Sequence, residues 1–233
     1  MITSILTVYN RPYTLNEQIK SIKNQTINSN IMVWINASDQ EAPEITDNDI
    51  IVSKCTHNLK FYSRFAYALN AQTEYVAIFD DDTIPGKRWF ENCLQCIKEK
   101  PGIYGTVGVE LLGDGYRKRK RYGWPSMNEE IKQVHLVGHG WFMKTEYLKY
   151  LWMEKPQTFD NGEDMQLSYM AKKYGNINTY AAPHPENDKE LWGSLKAIEY
   201  GADKNASFNV NQKAYLNIRD NIARNFLKKG WVL

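Results

Sequence analysis

Residues 75–91 read YVAIFDDDTIPGKRWFE. Tyr75–Phe79 is an uninterrupted apolar run of β-branched and aromatic residues, which predicts a strand buried on both faces. Asp80, Asp81 and Asp82 follow at its carboxyl end, and Trp89, Phe90, Cys93, Leu94 and Ile97 then trace one face of a helix. In α/β sheets, ligands collect beyond the carboxyl ends of the strands, so this turn is a candidate site. Three adjacent carboxylates repel one another at a cost that a cation removes. A magnesium or manganese ion shared with a diphosphate fits, because hard cations take oxygen ligands and share them with phosphates. The plainer reading is an acidic turn capping the next helix, for which one aspartate would suffice.

Upstream, Ile2–Val8 is a second apolar run, ended by the turn signal Asn10-Arg11-Pro12. Leu15, Ile19 and Ile22 recur at helical spacing, predicting a helix to about Gln25. Ile31–Ile35 and Ile50–Val52 read as further strands, and Phe61, Phe65 and Leu69 as one face of a second helix. Strands that alternate with helices and carry continuous apolar runs predict an α/β fold, a mainly parallel twisted sheet flanked by helices. Three polar clusters fall at strand ends: Tyr9-Asn10-Arg11, Asn36-Ala37-Ser38 and the aspartates.

Downstream, Gly102–Leu112 and Lys132–Val137 read as strands separated by a charged loop, with Gly140–Lys144 continuing the sheet. Glu163–Tyr174 is a helix with Leu167, Met170, Ala171 and Tyr174 inward, and Ile177–Ala181 is a short strand. Tyr215, Ile218, Ile222 and Phe226 mark one face of a last helix. With no repeat and no linker, the 233 residues read as a single domain. Residues 1–100 or so form a nucleotide-binding half, and about 101–233 an acceptor half with a smaller mixed sheet and the C-terminal helix.

A net charge of +2 is too near balance to argue for a nucleic-acid partner. Cys93 and Cys96 form a C-x-x-C inside an apolar helical pattern with no second pair, which is poor for zinc. The odd, small cysteine count fits a reducing compartment. The opening MITSILTVYNRPYTL lacks the basic lead of a signal peptide, and no apolar run approaches the length of a membrane span, so a cytoplasmic location is expected.

The second acidic motif is FDNGEDMQLSYMAKKYG, residues 159–175. Glu163 and Asp164 open the helix, where its dipole favours their ionised form, and an ionised carboxylate at a pocket edge can take a proton from an attacking hydroxyl. Alone, this motif reads better as an ordinary acidic first turn capped by Asn161 or Asp160.

Taken together, ILTVYNRP (5–12), FDDDTIP (79–85) and GEDMQLS (162–168) resemble the GT-A glycosyltransferases, particularly family-2-like and small virus-encoded members. The resemblance covers roughly residues 1–185. It implies a Rossmann-like GT-A fold and a metal-dependent transfer from a nucleotide-sugar donor, a UDP-sugar, to a hydroxyl of a glycan or glycoconjugate. It also implies that Thr7, Tyr9 and Arg11 line the base and ribose pocket, with Asn36 at the uracil and Arg64 on the nucleotide. Asp80 and Asp82 match the outer positions of D-x-D, Asp82 as the direct metal ligand and Asp80 or Asp81 nearer the ribose. Asp164 matches the catalytic base of inverting members; a retaining outcome depends on carboxylate placement that a sequence does not carry. His184, in AAPHPEND, matches the late histidine that many such enzymes use as a metal ligand, and reads equally as a surface histidine between prolines. The chain lacks the Q-x-x-R-W motif of processive membrane synthases.

In VGHGWFMKTEYL (137–148), Gly138 and Gly140 allow close backbone approach and Trp141 offers a platform for a sugar ring, with Glu163 also on the acceptor side. The alternative is a tight turn entering a core strand. The basic run Arg117–Arg121 reads as a solvated loop. Three rivals explain less. A haloacid dehalogenase-type phosphatase needs D-x-D-x-T/V near the chain start, whereas Thr83 comes one position early. A nucleotidyltransferase needs a Gly-rich basic loop at the N-terminus. A non-catalytic sugar-binding module leaves the carboxylates unexplained.

Overall fold

The computed structural model describes residues 1–37, 41–201 and 211–233, so Ser38 of the second polar cluster lies outside the described residues. The apolar runs become strands of one sheet: β1 (Ile2–Val8), β2 (Ser29–Asn36), β3 (Ile50–Cys55), β4 (Tyr75–Phe79) and β5 (Gly102–Leu111). The remaining strands are β6 (Arg119–Gly123), β7 (Lys132–Val134), β8 (Leu136–Lys144) and β9 (Asn178–Ala181). Their order is β3-β2-β1-β4-β8-β5-β9-β7, with β6 paired to the second half of β5. The first four are mutually parallel. β8 then enters antiparallel to β4, and the mixed strands of the second half of the chain continue the same sheet rather than forming a smaller one.

Helices α1 (Leu15–Lys23), α2 (Ser63–Ala68), α3 (Trp89–Glu99) and α4 (Glu163–Gly175) flank the sheet, and α5 (Ala197–Gly201) and α6 (Gln212–Lys228) follow. Neighbouring strand residues point to opposite faces. Leu6 and Phe79 therefore pack with Leu15, Trp89 and Phe90 on the α1 and α3 side. Ile5 and Ile78 pack with Phe65, Trp141 and Leu167 on the α2 and α4 side. Burial on both faces explains why β1 and β4 show no polar alternation. A third cluster joins α4 to α6 through Met165, Tyr169, Ile222 and Phe226.

Three expectations are corrected. The charged loop after β5 contains strand β6, with Arg121 opposite Val109, because a sheet edge tolerates exposed cations. The segment 132–137 breaks at His135, whose Nδ1 accepts a hydrogen bond from the backbone N–H of Leu111. Leu69 and Tyr174 are exposed, the latter donating its hydroxyl to Glu154. In line with their apolar helical pattern, Cys93 and Cys96 are free thiols in the core, and burial raises both, Cys96 to about 12.

Candidate active site

The aspartates leave β4 on a backbone clamped by α1. Gln18 Nε2 donates to the carbonyls of Asp80 at 2.6 Å and Thr83 at 3.0 Å, and Thr14 Oγ1 donates to that of Asp81 at 2.6 Å. The three side chains then diverge to different partners. Asp81 pairs with Arg11 at 2.7 Å. Asp80 pairs with Arg64. Asp82 lies 3.8 Å from Arg11 and 3.6 Å from Nδ1 of His139.

His139 arrives because β8 runs antiparallel to β4 with Gly140 opposite Phe79. Its carbonyl accepts from Asp80 N–H at 3.0 Å and from Thr83 Oγ1 at 2.8 Å, and its φ of 63° lies in the left-handed region. Burial raises Asp80 against the pull of Arg64, and raises Asp81 to about 6 against that of Arg11. Burial also opposes ionisation of Asp82, but His139 and Arg11 outweigh it and hold that carboxyl low. The same aspartates outweigh burial at His139 and raise it.

Asp80, Asp82 and His139 offer ligand atoms that all lie within 4.8 Å of one another. His139 Nδ1 is buried without a hydrogen-bond partner, an orphan that a cation would satisfy. Two carboxylates and an imidazole suit manganese, and magnesium through the oxygens. These residues therefore fit a divalent metal. Helix α5 lies against this cluster: a Cβ at Gly201 would come 2.6 Å from Asp82 Oδ2, and Lys196, just before the helix, pairs with Glu17 of α1 at 2.6 Å.

The second acidic motif is brought to the first. Gly162 precedes α4 with φ 86°, a left-handed conformation that favours glycine, and it packs directly under Ile222. Glu163 Oε1 pairs with Arg64 Nη2 at 2.8 Å, so one guanidinium bridges Glu163 and Asp80. Burial and the neighbouring Asp164 push Glu163 up to about 7, and its Oε2 is buried without a partner. Asp164 Oδ2 pairs with Arg219 Nη2 at 2.6 Å, and its Oδ1 accepts from the backbone of Met165 at 2.7 Å.

Other expected residues lie elsewhere in the network or outside it. Thr7 is buried with Oγ1 unpartnered, and Tyr9 is half-buried. Asn36 shapes the 58–60 turn, bonding Asn58 Oδ1 at 3.0 Å and Leu59 N–H at 2.9 Å. Two readings are corrected. Trp141 is buried, edge-on to Phe65 with Arg64 4.8 Å above its ring, so it has no face for a sugar; Gly140 is buried beside it. His184 is fully buried, with Nδ1 bonded to the carbonyl of Ala182 at 2.8 Å and Nε2 accepting from Gly193 N–H at 3.1 Å. Both nitrogens are thus committed to backbone, and His184 is a packing residue. A groove of about 720 Å³ beside α1, lined by Glu17, Lys20 and Pro85, includes none of the aspartates; the side-chain chemistry locates the site better than its volume.

Residues 3–154 match the family model described as glycosyl transferase family 2. The chain belongs to that family. Among similar solved structures is residues 1–349 of TarS from S. aureus, 18% identical with a TM-score of 0.54, over 80% of this chain and 61% of that one. A longer structure of TarS from S. aureus is 17% identical with a TM-score of 0.57, over 91% of this chain and 44% of that one. Both likenesses concern the fold, and the family 2 chain spans less than two thirds of either. No curated protein sequence matches it. The family match ends before Glu163 and Asp164. Among the described residues, no helix is long and apolar enough to cross a membrane.

Proposed function

We propose that this family 2 chain transfers a sugar from a nucleotide diphosphate donor, a UDP-sugar, to a hydroxyl of a glycan or glycoconjugate, with inversion. The observation that carries this reading is the Asp80–Arg64–Glu163 bridge, which ties a cluster suited to a metal to Glu163, the helix neighbour of the candidate base Asp164. Asp80, Asp82 and His139 would hold Mn2+ or Mg2+, and the ion would supply positive charge to the departing diphosphate. Arg11 and Arg64, both buried, neutralise the remaining carboxylates and set the charge seen by the nucleotide. Thr7, Tyr9 and Asn36 border the base and ribose at the ends of β1 and β2.

Asp164 takes the proton of the acceptor hydroxyl as its oxygen attacks the anomeric carbon. The bond from that carbon to the diphosphate oxygen breaks, and the diphosphate leaves with the electron pair. Attack opposite the leaving group inverts the centre, through an oxocarbenium-like transition state as in glycoside cleavage. The test is a panel of nucleotide sugars with Mn2+, reading thermal protection and nucleotide release, followed by NMR of the product anomer. Selective protection by one UDP-sugar supports the reading; protection by none contradicts it, and a retained anomer removes Asp164 from the base role.

A further inference from the structure

We infer that Arg219 of the C-terminal helix α6 is a positioning residue for Asp164, its fixed guanidinium orienting that carboxylate to accept the acceptor's proton. The inference rests on the proposed role of Asp164. Arg219 is only 4% exposed and is held on three sides. Its Nη2 pairs with Asp164 Oδ2 at 2.6 Å, its Nη1 donates to Asn161 Oδ1 at 2.9 Å, and its guanidinium lies 4.4 Å from the ring centroid of Tyr116 and 5.5 Å from that of Tyr215. Such a cation cannot swing away without exposing several buried partners, so its direction at Asp164 is fixed.

Charge balance points the same way. The titratable and charged groups around Asp164 are Glu163 on its own helix, Arg64 of α2, Tyr62 just before α2, Tyr116 in the β5–β6 turn, and Arg219 and Tyr215 of α6. Arg64 is engaged by Asp80 and Glu163, which among the described residues leaves Arg219 as the cation paired with Asp164. A buried carboxylate with no opposite charge takes up a proton, and a protonated Asp164 has lost its basicity.

The plainer account is an ion pair that fastens α6 to α4. That fastening is already supplied by Ile222 against Gly162 and by Phe226 stacked on Tyr169 at 4.3 Å. A buried ion pair, by contrast, is weak evidence for stability because desolvation offsets its attraction. Arg219 and Ile222, three apart on one helix face, thus divide positioning and packing between them.

The test compares the pH profile of kcat/KM for UDP release, with the UDP-sugar the panel selects, in the wild type, Arg219→Met, Arg219→Lys, Asp164→Asn and Phe226→Leu. Arg219→Met should move the acid limb to higher pH by about one to three units, the shift a lost opposite charge produces. Its turnover at neutral pH should fall roughly tenfold or more, recovering as the pH rises. Donor KM should stay within about twofold, since the base acts on the acceptor. Arg219→Lys, which keeps the charge, should restore most of the wild-type profile. Phe226→Leu should lower the melting temperature without moving the limb. An unmoved limb in Arg219→Met, or an equal shift in Phe226→Leu, would overturn the positioning role. If Arg219→Met does not fold, Arg219→Gln is read the same way. An active Asp164→Asn would instead count against the base assignment itself.

Discussion

Asp80 and Glu163 share one counter-ion, the guanidinium of Arg64, although Glu163 lies 99 residues beyond Arg64 in the chain. The bridge makes the end of β4 and the start of α4 a single electrostatic unit. It also means that Arg64 cannot be lost cheaply.

Removing the cation leaves the half-buried Asp80 and the buried Glu163 without their shared counter-ion. Breaking a buried pair by deleting one partner costs on the order of 3–5 kcal/mol. Arg64→Met should therefore lower the unfolding free energy by about that amount in urea titrations at pH 7.5. A loss under about 1 kcal/mol would mean that Asp80 and Glu163 find other partners or protonate without penalty.

Two histidines should separate cleanly. His139→Asn keeps a residue tolerant of the left-handed backbone while removing the imidazole, and should weaken Mn2+ binding on the order of tenfold in calorimetric titrations with UDP present. His184→Gln should leave that affinity unchanged. The reverse pattern would restore the late histidine as the ligand.

The sequence carried much of the fold and part of the site. Buried parallel strands announce themselves as β-branched and apolar runs without regular polar alternation, so Ile2–Val8 and Tyr75–Phe79 were legible to the residue. Asp80 and Asp82 drew attention because they follow an apolar strand, and Arg64 through the family resemblance alone; the fold brings Arg64 onto Asp80. His139 was not legible, although the glycines on either side of it drew attention. Its approach to Asp82 depends on β8 pairing antiparallel with β4 across about 60 intervening residues, a register that no local pattern reports. Arg219 was hidden for a related reason: a charged residue on an amphipathic helix reads as solvent-facing, and only the tertiary contact with Asp164 buries it. Trp141 was misread in the opposite sense, since an aromatic beside glycines looks available until the sheet packs over it.

His184 also predicts acid lability. Burial depresses it to about 4, while the unfolded residue titrates near 6.5. Between those values the unfolded state binds the extra proton, so stability rises with pH across the window. The contribution is complete above about 6.5 and is lost as the pH falls toward 4, amounting to roughly 3 kcal/mol. Urea titrations of wild type against His184→Gln should show the gap between the two proteins changing by about that much from pH 7.5 to pH 4. A gap independent of pH would contradict the buried neutral imidazole.

At the acceptor side, Asp164→Asn should lose about 10²–10⁴-fold in turnover while UDP affinity barely changes. Glu163→Gln should be milder, because consecutive helix residues diverge by about 100° and Glu163 is turned to Arg64 while Asp164 is turned to Arg219. Equal losses in the two variants would assign the proton to the pair rather than to Asp164.

Metal-dependent donor turnover tests the central claim most directly. UDP release from the selected UDP-sugar is measured with Mn2+, again with EDTA in excess, and again after Mn2+ is restored, in the wild type and in Asp82→Asn. The account predicts that EDTA abolishes the wild-type rate, that Mn2+ restores it, and that Asp82→Asn stays inactive throughout while remaining folded. A wild-type rate unaffected by EDTA, or an Asp82→Asn rate near that of the wild type, would contradict it.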